Sequence, residues 1–235
     1  MKQHHRLGIL VLIISPLLGL LAGVGSSRLM AVDKIIVISP RASLSREVAR
    51  QLEVPIGASM LFYPLSRITE QAQHCYRVKD VSVNRVSPHE IAVTVTAQEP
   101  YAAVLVDGEY TVISRQGLCL YRERSAPPKL PVLIGMAAGR PALGTTFPAD
   151  RMQWVHDVLA GATKVALREG LEVDLTKLHR ITVRAQGLQG TLGNVNSLTR
   201  KMTVLGRLME QLREQGVRTA AIDVSIPEKP RWSVS

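Results

Sequence analysis

The apolar and polar positions of this 235-residue chain change period several times along its length. Leu7 to Gly25 form an unbroken run of nineteen residues without a charge. A helix of that length spans about 28 Å, close to the hydrocarbon thickness of a bilayer. Segment 7–27 is therefore read as one membrane-spanning helix behind a short tail, 1–6, with the lipid bilayer as its partner. A cleaved signal peptide is the competing reading, because Lys2 and Arg6 precede the run and Gly23, Gly25, Ser26 and Ser27 close it. A signal core usually has about 7–15 apolar residues and a small-residue A-x-A site, and this run is longer and lacks one. Pro16 is compatible with a spanning helix, since membrane helices tolerate proline when the freed carbonyl finds another partner.

After the run the periods shorten. Val32 to Ile38 is β-branched and stops at Ser39-Pro40, the pattern of a strand entering a turn. Ser43 precedes a helical stripe of Leu44, Val48 and Leu52, which ends toward Pro55 and Gly57. Leu65, Ile68 and Ala72 place a second helix over Leu65 to Gln73. A hairpin follows: Val81 and Val83 alternate with polar residues on one side of Ser87-Pro88-His89, and Ile91, Val93 and Val95 do so on the other. The order strand, helix, helix, strand, strand predicts a small α+β unit over 28–98, with a boundary near Gln98 to Pro100.

Residues 99–235 read as a larger unit in which a sheet packs on helices. Asp150 stands where it would cap a helix striped with Met152, Val155, Val158, Leu159, Ala162, Val165 and Ala166, and Gly170 would stop it. Strands are expected at Leu178 to Ala185 and Gly187 to Leu192. Leu198, Met202, Leu205, Met209 and Leu212 then mark a helix over Ser197 to Gln215, closed by Gly216, and Val217 to Ile226 supplies a last strand.

Composition narrows the functional classes. The formal net charge is +10, which suits anionic lipid or wall polymer, but the basic residues are scattered and aromatics make up only 4%. No nucleic-acid-binding motif is present, so no nucleic-acid partner is expected. Cys75 and Cys119 have no metal-ligand spacing and read as separate core residues. The six histidines are dispersed, and no zincin, nucleophile-elbow, phosphate-loop or dinucleotide fingerprint occurs. The expectation is a protein without enzymatic activity, cofactor or metal.

The segment Val81-Ser-Val-Asn-Arg85-Val-Ser-Pro88-His-Glu-Ile91-Ala-Val93, with Gln98-Glu99-Pro100 behind it, resembles the hairpin of the POTRA domain in the FtsQ/DivIB cell-division family. The likeness continues through Tyr101 to Tyr121, which looks like the two strands that open the family's β domain, and through Leu130-Pro131-Val-Leu-Ile-Gly135, Leu192-Gly193 with Arg200-Lys201-Met202, and Ala221-Ile222-Asp223-Val224. The resemblance implies a POTRA domain over 28–98 and the family's β domain over 99–235. It also implies a single-pass protein of the cytoplasmic membrane at the division septum, N-terminus inside and bulk outside. Charge alone leaves orientation open: Lys2 and Arg6 precede the span, whereas Arg28, Lys34, Arg41 and Arg46 follow it. A cytosolic C-terminal portion is the rival topology.

As a member of that family the chain would be a scaffold linking early and late division proteins. It would hold FtsB/FtsL or DivIC-like bitopic partners, beside other divisome membrane proteins, to control septal wall synthesis. Strand addition at the C-terminal edge is the expected mechanism. The closing-strand positions are Ile222, Val224, Ser225 and Ile226, with Trp232 and Val234 as an apolar tail that grips the partner. Alternation equally allows Ile222 and Val224 simply to face the core. The family usually has arginine at Ser225 and aspartate at Ser114, and Pro227 and Pro230 would interrupt a longer ladder. On the POTRA-like unit, Arg67, Glu70, Arg77 and Lys79 are candidate docking residues or merely a solvated face. Two other functions compete: a POTRA-containing envelope protein that aids polypeptide secretion, and a wall-polymer-binding protein.

Overall fold

The computed structural model describes residues 31–53, 56–60, 63–167 and 169–234. The charge-free run 7–25 lies outside these, and no described helix is long and apolar enough to cross a membrane. The chain divides into two compact units between Gln98 and Glu99.

The first unit runs β1 (Lys34–Ile38), α1 (Ala42–Gln51), α2 (Leu65–Gln73), β2 (Val78–Ser87) and β3 (Glu90–Ala97). β3 is central, parallel to β1 and antiparallel to β2. Its alternation decides this arrangement: Ile91, Val93 and Val95 are buried with Leu44 and Val48 of α1 and Ile68 and Ala72 of α2, while Thr94 and Thr96 are exposed. Val81 and Val83 stand opposite Val95 and Val93, so the two apolar faces of the hairpin coincide. α2 has the bounds its stripe predicts. α1 starts before Ser43; Arg41 is its N-cap and makes no side-chain capping bond.

The second unit is a nine-stranded mixed sheet packed on helices. β4 (Ala102–Val106), β5 (Glu109–Ile113) and β6 (Cys119–Glu123) form an antiparallel meander, and β7 (Val132–Ile134) joins β4 in parallel. α3 (Ala149–Lys164) follows, then β8 (Glu172–Asp174), β9 (Ile181–Ala185), β10 (Leu188–Gly193), α4 (Leu198–Glu214), β11 (Ala220–Asp223) and β12 (Arg231–Val234). The spatial order is β12-β11-β10-β9-β8-β7-β4-β5-β6. All five stripe residues of α4 are buried. The two helices approach closely because position 161 is glycine: a Cβ there would lie 2.6 Å from the Thr199 carbonyl oxygen.

Several sequence expectations need correction. Three strands open this unit rather than two. The tight turn between β5 and β6 is organised by Ser114, whose hydroxyl oxygen accepts from the backbone N–H groups of Gln116 (3.2 Å) and Leu118 (3.3 Å). A carboxylate at this position would take the same two donors, so the serine does here what an aspartate would do. Pro148, not Asp150, is the N-cap of α3. That helix stops at Lys164, so Val165 caps it and Ala166 takes a left-handed φ of 52° off the stripe. β8 has only three residues, too few to carry a readable alternation. Cys75 and Cys119 are free and buried in the cores of different units, and desolvation pushes both thiols up from their ordinary value.

Candidate functional site

The C-terminal edge of the large sheet is built by one row of side chains. Val104, Leu133, Val173, Val183, Gly190, Ile222 and Trp232 stand side by side in register across β4, β7, β8, β9, β10, β11 and β12. Residues in register share a face, so this row belongs to the helix-covered core. Every member is buried except the last: Trp232 is 53% exposed. An indole thus continues the core row to the point where the protein's own cover ends.

The neighbouring row faces the other way and is polar. Thr182, Thr191, Asp223 and Arg231 are in register on β9 to β12. Thr191, Asp223 and Arg231 contribute to a shallow groove of about 340 Å³, lined also by Arg180, Ala221 and Ser233. Asp223 organises the exit from β11: its carboxylate accepts the backbone N–H of Ser225 at 2.8 Å. The Ser225 hydroxyl and backbone N–H, then Arg231 and Arg180, hold the Asp223 carboxyl below its ordinary value. A depressed carboxyl stabilises the fold above its unfolded pKa, and that contribution is lost as pH falls through the depressed value. Ser225→Ala is expected to move the Asp223 midpoint upward toward the ordinary carboxylate range, read by carbon-detected NMR titration of that carboxyl.

The expected last strand, 217–226, is the shorter β11, and β11 is not the edge. β12 pairs antiparallel along its outer side, with Ala220 opposite Val234, Ala221 opposite Ser233, Ile222 opposite Trp232 and Asp223 opposite Arg231. Among the described residues no strand pairs with the far side of β12. Ile222 and Val224 are buried, the arrangement that alternation also allowed, whereas Ile226 is 60% exposed. Pro227 and Pro230 lie in the turn that reverses the chain, where a missing N–H costs no ladder bond. They do not interrupt a strand. Glu228 of that turn meets Arg200 of α4 at 3.0 Å, an exposed pair that contributes little.

One residue below this edge escaped the sequence reading. Lys201 is 4% exposed, and its ammonium donates to the carbonyl oxygen (3.1 Å) and side-chain oxygen (2.8 Å) of Asn194. Desolvation lowers its pKa. It holds the β10–α4 loop against the helix, and its spacing after Leu192-Gly193 was the available signal. Tyr101 and His156 form a second polar contact, with the Tyr101 hydroxyl 3.2 Å from Nδ1. Burial, then Arg115, lower the His156 pKa. No group of three or more His, Cys, Asp or Glu among the described residues is arranged to hold a metal ion.

The candidates on the first unit separate. Arg67 and Glu70 are exposed on α2, and Lys79 is exposed on the edge strand β2. Arg77 is half-buried, and its guanidinium donates to Glu47 at 2.8 Å, tying the start of the hairpin to α1. It is a structural link before it is a docking residue.

No family model matches the chain. A curated relative, "Cell division protein FtsQ" of Streptomyces bingchenggensis (strain BCW-1), is 26% identical over 213 residues, covering 90% of this chain and 75% of the relative. The chain is related to the FtsQ cell-division proteins. The similarity runs through both units rather than one, in keeping with the FtsQ-like motifs spread along the sequence.

Proposed function

We propose that this protein is a non-enzymatic, single-pass scaffold of bacterial cell division. Residues 7–27 anchor it in the cytoplasmic membrane, tail 1–6 stays inside, a POTRA-type unit over 28–98 and a β domain over 99–235 stand outside, and the chain gathers at the septum. Its work is to hold FtsB/FtsL or DivIC-like partners beside the wall-synthesis machinery by adding a partner strand to the open side of β12.

The observation that carries this reading is the exposed indole of Trp232 at the end of an otherwise buried row. A strand laid against β12 would extend the backbone ladder and continue that row over Trp232, so hydrogen bonding and apolar burial act together. Val234 lies on the same row-bearing strand, and Ile226 marks the near rim. Ile222, Val224 and Ser225 act from beneath by fixing where β12 lies. Arg67, Glu70 and Lys79 offer a separate charged surface to other membrane division proteins.

Two linked measurements test this. A fluorescent protein fused to the N-terminus is expected to form a midcell ring during constriction; uniform membrane signal would overturn the division role. Truncation after Lys229 removes β12 and is expected to abolish co-purification of an FtsB-like partner from membranes. Undiminished recovery would overturn strand addition at this edge.

A further inference from the structure

The first unit has one end at which the chain enters it, and two large apolar side chains, Ile56 and Val86, are exposed there among polar groups. Ala31 bridges to Ser59, and the N–H groups of Val32 and Gly57 donate to Ala58 O (2.9 Å) and Val32 O (3.0 Å). The turn carrying Ile56 is therefore fastened beside the entry point. On the other side, His89 Nδ1 lies 2.9 Å from Ala31 O, and the Asp33 N–H donates to His89 O at 2.9 Å. This fastens the tip of the β2–β3 hairpin, with Val86 and Pro88, to the same end. Arg85 links the two, donating to Tyr63 O at 3.2 Å.

Ile56 is 80% exposed and Val86 62% exposed. Among the unit's described residues the other large exposed hydrophobic, Ile38, ends β1, remote from Ala31. At this end Lys34 pairs with Glu90 at 3.2 Å, and the Asp33 carboxylate lies 3.5 Å from His89 Nδ1.

The chain outside the described residues limits what can cover them. Only residues 26–30 separate the charge-free run from Ala31. Six chain steps reach at most about 20 Å. If 7–27 spans the bilayer, an anchor proposed above on which this inference rests, then Ala31 and the two segments fastened to it are held within that distance of the lipid surface. We infer that this end of the first unit rests on the membrane, with Ile56 and Val86 entering the interfacial layer of the lipid. Interfacial protein elements bury apolar side chains about 5–10 Å into this layer, a depth a single side chain on a tethered unit can reach. The contact orients the unit, with its far end directed away from the bilayer.

The test uses the full-length protein in nanodiscs of phosphatidylcholine and phosphatidylglycerol. An environment-sensitive nitrobenzoxadiazole label is placed by Ile56→Cys or Val86→Cys, and by Ile38→Cys or Thr96→Cys as exposed controls toward the opposite end; Cys75 and Cys119 are buried and label poorly. Spin-labelled lipid is expected to quench the labels at 56 and 86 several-fold more than those at 38 and 96. Weak or equal quenching at all four sites, in protein that resists carbonate extraction, would overturn the contact and leave the anchor standing. Release of the unlabelled protein by carbonate would overturn the anchor, and the inference with it.

Discussion

Trp232→Ala is expected to leave the second unit folded while weakening retention of an FtsB-like partner by about 30- to 1,000-fold. The range follows from the roughly 2–4 kcal/mol that a buried aromatic anchor contributes at an interface. In the protein alone Trp232 is half out of water, so its own folding contribution is only about 1–2 kcal/mol. A partner strand would bury the remaining surface and add an apolar neighbour to the row that runs from Val104 to Ile222. Partner titration and thermal unfolding of the same variant separate the two effects. A loss of affinity matched by collapse of the fold, or no loss at all, would remove the indole from the interface.

Gly190→Ala is expected to cost about 3 kcal/mol and lower Tm by about 10 °C, the upper range for overpacking in a domain of this size. Gly190 sits in the middle of the same row, between Val183 and Ile222. A Cβ there would lie 2.4 Å and 2.5 Å from the two terminal carbons of Leu205 and 3.0 Å from its Cγ. Both branches are met at once, so rotating the leucine relieves one contact only by worsening the other. α4 would have to lift from the sheet beneath β10 and β11. With Leu205→Ala in the same chain the combined cost should fall short of the sum of the two single costs, because the two changes act on one contact. Calorimetry of the single and double variants decides it, and a cost below about 1 kcal/mol would mean that the helix has slack.

The elements legible in the sequence were those in which many residues repeat one choice. The α4 stripe, the bounds of α2 and the β2–β3 hairpin each rest on several apolar residues at a fixed spacing, and burial follows the spacing residue by residue. β8 and β12 were missed for the converse reason. Three residues with one inward valine, or four residues behind two prolines, carry too little pattern to distinguish a strand from a loop. Arg77 reads from the sequence as a docking candidate, and the sequence reading gives Lys201 no role. A charged side chain reads as surface until the structure supplies Glu47, thirty positions away, or the Asn194 oxygens, from another element.

By itself the sequence determined a charge-free run long enough for a bilayer, two successive units of distinct pattern, and the apolar faces within them. These depend on local spacing, which is written in consecutive residues. Tertiary structure alone decided which strand forms the edge. β11 reaches β10 in parallel only after α4 has crossed, and β12 then folds back over β11, so the expected edge is covered and the open one carries Trp232. Strand order is set by backbone groups that every residue except proline possesses alike, and by which faces remain to be covered once the rest has packed.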